Sequence, residues 1–243
     1  MSPYVWKFLA AAETAPGTFP IEYAVDTDLV VAYSVHAADV DGDGDIDVLG
    51  AAGTPYDITW WENTAGDGSA WTEHTVDANF DGAYSVHAAD VDGDGDIDIL
   101  GTADGAFDAG DIAWYENTAG DGSAWTKHTV DTDFDAPTSV YAADVDGDGD
   151  IDILGAASNV SDIAWFENTA GDGSAWTEHT VDADFGGARS VHAADMDGDG
   201  DIDVLGAAVA ADNIAWWENT AGDGSAWTKH TVDADFDAAQ VVH

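Results

Sequence analysis

The chain contains no cysteine, so neither a disulfide nor a thiolate metal site holds it together. Positive charge is almost absent: 4 lysines and arginines stand against 50 aspartates and glutamates, a net charge of −46. With no basic patch to meet phosphates, nucleic acid is excluded as a partner. No apolar run reaches the length of a membrane span. The opening MSPYVWKFLAAAETAPG has one lysine and a short apolar patch, which makes a poor signal peptide. Helical periodicity of useful length is missing as well. A disordered acidic tail is excluded too, because the acids are interleaved with Trp, Val and Ile, and 45% of the 243 residues are hydrophobic.

What the chain has is repetition. Asp41, Asp92, Asp146 and Asp197 are equivalent and lie 51, 54 and 51 residues apart. A period near 50 marks a solenoid, a propeller or an array. Each copy carries four short strand candidates, a to d, at 34–39, 45–52, 57–63 and 70–76 in the first copy, divided by Gly- and Asp-rich turns. Four-stranded units repeated radially make a β-propeller. The expected fold is therefore all-β, one propeller over 1–243, with blades at about 34–80, 85–134, 139–185 and 190–236. A fifth blade is expected to close the ring from 1–30 plus 237–243. There, Tyr4 to Phe8 reads as a strand c, 21–32 as a strand d, and the C-terminus as the start of a strand a. Val241 and Val242 are expected to pair beside Tyr4–Phe8 or Ile21–Val25, and no stretch supplies a strand b. A ring closed by one chain is preferred to one shared by two.

Between strands a and b each copy places a loop of the form D-x-D-x-D-G-x-x-D. The copies are Asp39, Asp41, Asp43, Asp45 and Asp47; Asp90, Asp92, Asp94, Asp96 and Asp98; Asp144, Asp146, Asp148, Asp150 and Asp152; and Asp195, Asp197, Asp199, Asp201 and Asp203. Carboxylates at loop positions 1, 3, 5 and 9 converge when the backbone curls. Position 7 offers its carbonyl and turns its side chain away, and the glycine at position 6 allows the turn. So many hard oxygens suit Ca²⁺ better than Mg²⁺, which keeps its waters and demands octahedral geometry. About four Ca²⁺ per chain are expected. Asp47→Ala is expected to cost stability only with calcium bound. Four Ca²⁺ supply +8 against −46, so most of the acidity lies elsewhere on the surface, where like charges repel unless salt screens them. This composition reads as adaptation to hypersaline surroundings.

DVDGDGDIDVLGAA followed by DIAWWENTAG resembles the FG-GAP/VCBS repeats of calcium-binding propellers, over residues 34–236. The integrin alpha-chain head carries similar loops, and some fungal and bacterial lectins share the architecture. The resemblance implies calcium in the a–b hairpins and an extracellular or cell-surface location. Such propellers usually have seven blades, and this chain lacks the insertions that give integrins their ligand site.

Other repeated residues invite roles. The pairs Trp60-Trp61, Trp114-Tyr115, Trp165-Phe166 and Trp216-Trp217 suit either sugar stacking or inter-blade packing, and repetition in every blade favours packing. His36, His87, His192 and His243, with Tyr141 in the remaining place, fit a channel lining better than a metal ring. His74, His128, His179 and His230 read as surface residues. No nucleophile–base constellation stands out, so an enzyme is not expected. The copies diverge in the b–c loops and at Tyr33, Tyr84, Thr138, Arg189 and Gln240. Up-and-down connectivity puts both on the face opposite the acidic loops. A carbohydrate or protein ligand is expected there, with a purely structural repeat or a fragment of a larger surface protein as the alternative.

Overall fold

The computed structural model describes residues 7–8, 23–27, 29–54, 57–103, 110–160 and 162–242. Its strands form four antiparallel four-stranded sheets in chain order. The first holds β3 (Val30–Ala38), β4 (Asp47–Thr54), β5 (Asp57–Glu62) and β6 (Thr72–Asp77). The second holds β7 (Ala83–Ala89), β8 (Asp98–Ala103), β9 (Asp111–Asn117) and β10 (Trp125–Asp131). The third is built from β11 (Pro137–Ala143), β12 (Asp152–Ala157), β13 (Asp162–Asn168) and β14 (Trp176–Asp182), the fourth from β15 (Ala188–Ala194), β16 (Asp203–Ala208), β17 (Asn213–Asn219) and β18 (Trp227–Asp233). Each sheet is an up-and-down meander, so sequence neighbours pair throughout.

Successive sheets stack face to face, and the core lies between them. One cluster joins Leu49, Ile58 and Trp60 of the first sheet to Val86, Ile99 and Tyr115 of the second. Equivalent clusters join the second to the third and the third to the fourth. In the two middle sheets strands b and c are therefore covered on both faces, which is why DILGAA is buried at every position of β12. Strand d borders solvent, and none of its positions in β10 is fully buried. Gly101 marks how close the sheets come: a Cβ there would overlap Ile58 Cδ1 of the preceding sheet.

The aromatic pairs are packing residues. Trp60, Trp61, Trp114, Tyr115, Trp165, Phe166 and Trp217 are buried, and Trp216 in the last sheet is half-buried. The outer histidines are more than surface residues. His74, His128, His179 and His230 stack on Trp60, Trp114, Trp165 and Trp216 at 4.3–4.6 Å. Each also meets the strand-c glutamate of its own sheet, as His74 meets Glu62 at 2.9 Å.

Strands a line up side by side, linked by serine hydroxyls. Ser34, Ser85 and Ser139 accept from the N–H of Val86, Val140 and Val191 at 3.2–3.3 Å. The C-terminus continues this ladder, because Ser190 accepts from Val242 N–H at 3.2 Å. Ala238 has φ 56°, like Val31, Ala136, Gly82 and Gly187 before the other inner strands, and Ala239 is buried like Ala83 and Ala188. The tail thus lies beside β15 and repeats the backbone features that precede the other inner strands. The expectation that Val241 and Val242 pair as a strand fails: they form no strand, and Val242 is held by the Ser190 hydroxyl.

At the other end, β1 (Lys7–Phe8) pairs antiparallel with β2 (Tyr23–Ala24). Trp61 Nε1 donates to Asp26 at 3.2 Å, as Trp217 Nε1 donates to Asp182 at 3.1 Å. Asp26 therefore stands where a preceding sheet ends its strand d. Tyr4, Ile21 and His243 lie outside the described residues.

Candidate metal centres and the opposite mouth

Each a–b hairpin gathers carboxylates. Ligand oxygens of Asp39, Asp41 and Asp43 lie within 4.8 Å of one another, as do those of Asp195, Asp197 and Asp199. In the middle two loops the trios are Asp90, Asp92 and Asp98, and Asp144, Asp146 and Asp152. The backbone holds them through short-range bonds. Asp43 N–H donates to Asp41 at 3.1 Å, Gly44 N–H to Asp39 at 3.0 Å, and Asp45 N–H to Asp43 at 2.8 Å. Gly44 adopts φ 95°, a conformation closed to most L-residues, and its three equivalents do the same.

Asp45, Asp96, Asp150 and Asp201 are absent from these trios. Their carboxylates lie against Gly66, Gly120, Gly171 and Gly222 of the c–d hairpins, where a Cβ would overlap them. Asp94, Asp148 and Asp203 stand in the same loops beside their trios. Between the third and fourth sheets a cleft of about 430 Å³, lined by Asp144, Gly147, Asp201 and Gly222, opens these loops to solvent.

Position 9 does something the motif does not announce. Asp47 is buried, and its two oxygens accept from Val40 N–H at 2.9 Å and Asn63 N–H at 2.8 Å. Asp98 and Asp152 repeat this with Val91 and Asn117, and with Val145 and Asn168. The carboxylate ties the loop to the end of strand c through these bonds. With both bonds lost, replacement of Asp47 is expected to cost stability in the absence of calcium as well, where the sequence alone suggested a cost only with calcium bound. Burial pushes Asp98 and Asp152 up to about 7, although these N–H donors pull the other way.

Neighbouring sheets lock the loops further. Asn117 Nδ2 donates to Val40 O of the preceding sheet at 3.0 Å, and Asn168 and Asn219 do the same to Val91 O and Val145 O. Only the pairing of separate sheets reveals this bond; from sequence, the invariant Asn after Glu was its sole trace.

The loops fit a hard cation. Asp39 Oδ1 and Asp90 Oδ1 are buried without a hydrogen-bond partner. Such orphaned carboxylate oxygens are costly unless a cation meets them. Every donor in the trios is a carboxylate oxygen, the ligand type of Ca²⁺.

At the other end of strands a, the divergent residues share one backbone feature. Tyr33, Tyr84, Thr138 and Arg189 each occupy a β-bulge, where strand a has one more residue than strand b. Tyr33 and Tyr84 stack at 4.6 Å with ring planes 20° apart. Arg189 Nη1 donates to Tyr84 Oη at 3.0 Å, reaching across from the fourth sheet to the second. Thr138 turns inward: it is buried, and its hydroxyl lies 3.1 Å from Ala156 O and 3.0 Å from Ala188 O. Gln240 is exposed on the tail.

Along the same strands His36, His87, Tyr141 and His192 form a chain of touching rings, 4.3–4.4 Å apart. Burial, then the neighbouring His36 and His192, lower His87 to about 3. A neutral, packed imidazole lines the wall.

Fold and loops together define a class: repeated four-stranded β-units, each with an acidic loop in its first hairpin. The chain belongs to the FG-GAP-like repeat family, whose profile matches residues 39–101, 102–155 and 145–206. Among solved structures it is similar to the crystal structure of the V. cholerae biofilm matrix protein Bap1, at 18% identity and a TM-score of 0.38. That match covers 88% of this chain and 41% of the other, so the chain spans about two fifths of its length. No curated protein matches the sequence. No helix among the described residues is long and apolar enough to cross a membrane.

Proposed function

We propose that this chain is a non-enzymatic, calcium-stabilised propeller of five blades that binds carbohydrate outside the cell, in salty surroundings. The buried, unpartnered Asp39 Oδ1 and Asp90 Oδ1 inside their acidic loops carry the calcium reading. Asp39, Asp41, Asp43 and Asp47 and their equivalents would hold the ions, whose charge offsets the repulsion among these carboxylates. The fifth blade would combine the C-terminal strand-a position with β1 and β2, bringing the two termini together. Family membership suits a surface repeat module, and the clustered bulge residues supply the mouth at which a ligand would dock.

Calcium titration by calorimetry on chelator-stripped protein tests the first part. About four bound ions are expected, and fewer than three would overturn it. A glycan array with calcium and molar salt tests the second. Calcium binding without any glycan would leave a structural repeat module.

A further inference from the structure

We propose that the bulge cluster Tyr33–Tyr84–Arg189 is a subsite for a carboxylate-bearing sugar, a uronate residue of an acidic glycan. This rests on the carbohydrate reading above and names the substrate class.

Arg189 is the one arginine of a chain with 50 acidic residues. Lys127 and Lys229 both meet carboxylates, Asp77 at 3.9 Å and Asp182 at 2.8 Å. Arg189 makes no ion pair among the described residues, and its one hydrogen bond goes to a neutral phenol. A guanidinium carries five N–H donors in a planar fork. Most of that fork is left for a ligand, and its geometry matches a carboxylate held by two parallel bonds.

The second observation is the aromatic platform. Tyr33 is 48% exposed and stacks on Tyr84, whose hydroxyl fixes the guanidinium. An apolar ring face beside a guanidinium fork suits a pyranose bearing C–H groups on one side and a carboxylate at its edge. A flexible acidic peptide offers the carboxylate without a stiff face to stack.

The third observation is backbone. The bulge recurs in every sheet while its occupant changes from Tyr to Thr to Arg. Bulges re-aim side chains and gather beside sites. Val31, two residues before Tyr33, has φ 61°, strained for a β-branched residue. The same left-handed turn precedes the other inner strands, where it falls on Gly82, Ala136 and Gly187, so it sets the backbone that presents each bulge.

Charge dictates the conditions. A chain of −46 repels an anion at long range. At about 1 M salt the Debye length is ~3 Å, which removes that repulsion while a direct Arg–carboxylate contact persists. Uronate binding therefore tightens as salt rises, the reverse of a simple ion pair.

The experiment uses calcium-loaded protein at molar salt, with methyl glucuronide, methyl glucoside and a triglutamate peptide as probes, followed by ligand-observed NMR and calorimetry. The glucuronide should bind at least about tenfold tighter than the glucoside. Arg189→Gln should erase that preference, Arg189→Lys should restore it in part, and Tyr33→Ala should weaken the glucuronide about tenfold. Equal binding of glucuronide and glucoside, or a preference that survives Arg189→Gln, overturns the proposal. So does binding of triglutamate alone. Neutral glycan binding indifferent to Arg189 sinks this inference and keeps the carbohydrate reading, whereas an array blank for every glycan removes both.

Discussion

The two ends of each inner strand obey different rules. At one end, four acidic loops repeat the same motif, the same glycine conformation and the same ties from position 9 to the end of strand c. At the other, one β-bulge recurs but its residue is Tyr, Tyr, Thr or Arg. Repetition is what a packing or ion-binding role produces, because each blade needs it equally. Divergence on a constant bulge is what a single asymmetric site needs. The contrast turns a repeat protein into a molecule with a stabilising face and a face of individual character.

Chelation is the strongest way to break that contrast. On the proposed reading, calcium would favour the folded loops over the unfolded chain, by ~2.7 kcal/mol per site at 100 times Kd. Four sites approach ~10 kcal/mol, on the scale of a whole domain's stability. Chelator should lower the melting temperature sharply at any ionic strength, and molar salt should raise it without replacing calcium. Melts unmoved by chelator would reduce the loops to acidic turns.

Asp98→Ala separates the ion from the scaffold. Its carboxylate accepts from Val91 N–H at 3.0 Å and Asn117 N–H at 2.8 Å, both buried. Truncation leaves those donors unpaired, for about 3–5 kcal/mol. Denaturation in excess chelator should still show most of this loss. A variant as stable as the parent without calcium would show that the role of position 9 is ion binding alone.

The third test sits midway along the inner strands. His87 has its pKa lowered from 6.5 to about 3, first by burial and then by His36 and His192. Below pH 6.5 the unfolded chain takes up a proton that the folded ring refuses, so stability falls as pH drops from 6.5 towards 3. Above 6.5 the contribution is fully present. His87→Tyr, copying Tyr141 in the next sheet, removes the titrating group. With calcium saturating, parent and variant should diverge by roughly 2–4 kcal/mol between neutral pH and pH 4. Parallel pH profiles would show that the ring does not hold His87 neutral.

Much of this was legible in the sequence. Strands and acidic loops follow from local signals: period-2 apolar runs, Gly–Asp turns and the spacing of carboxylates. The bulges were not, because a bulge exists only in the register between two strands. The bond from Asn117 to Val40 O and the serine ladder join residues more than 50 positions apart, and a repeated Asn or Ser does not name its partner. Position 9 was read as an ion ligand because its chemistry is that of its neighbours. Its burial, visible only in three dimensions, gives it a second role. The stacks of His74 on Trp60 were missed because strand d alternates, which sends His74 towards the outer surface unless the facing strand is known.

The smallest effect tests whether the bulge face is as free as its divergence suggests. Thr138 and Arg189 occupy the same bulge in adjacent sheets, yet one is buried and bonded to two carbonyls while the other is half-buried with a single bond to Tyr84. Thr138→Val keeps the shape and deletes the hydroxyl, which should cost ~1 kcal/mol. Arg189→Gln removes one partly exposed contact and should stay within about 0.5 kcal/mol. Urea denaturation of both variants with calcium saturating measures the difference. Equal costs would mean that Arg189 is part of the scaffold, and the bulge face would lose its claim to a separate rule. Unequal costs in this order place Thr138 with the packing and leave Arg189 to the mouth.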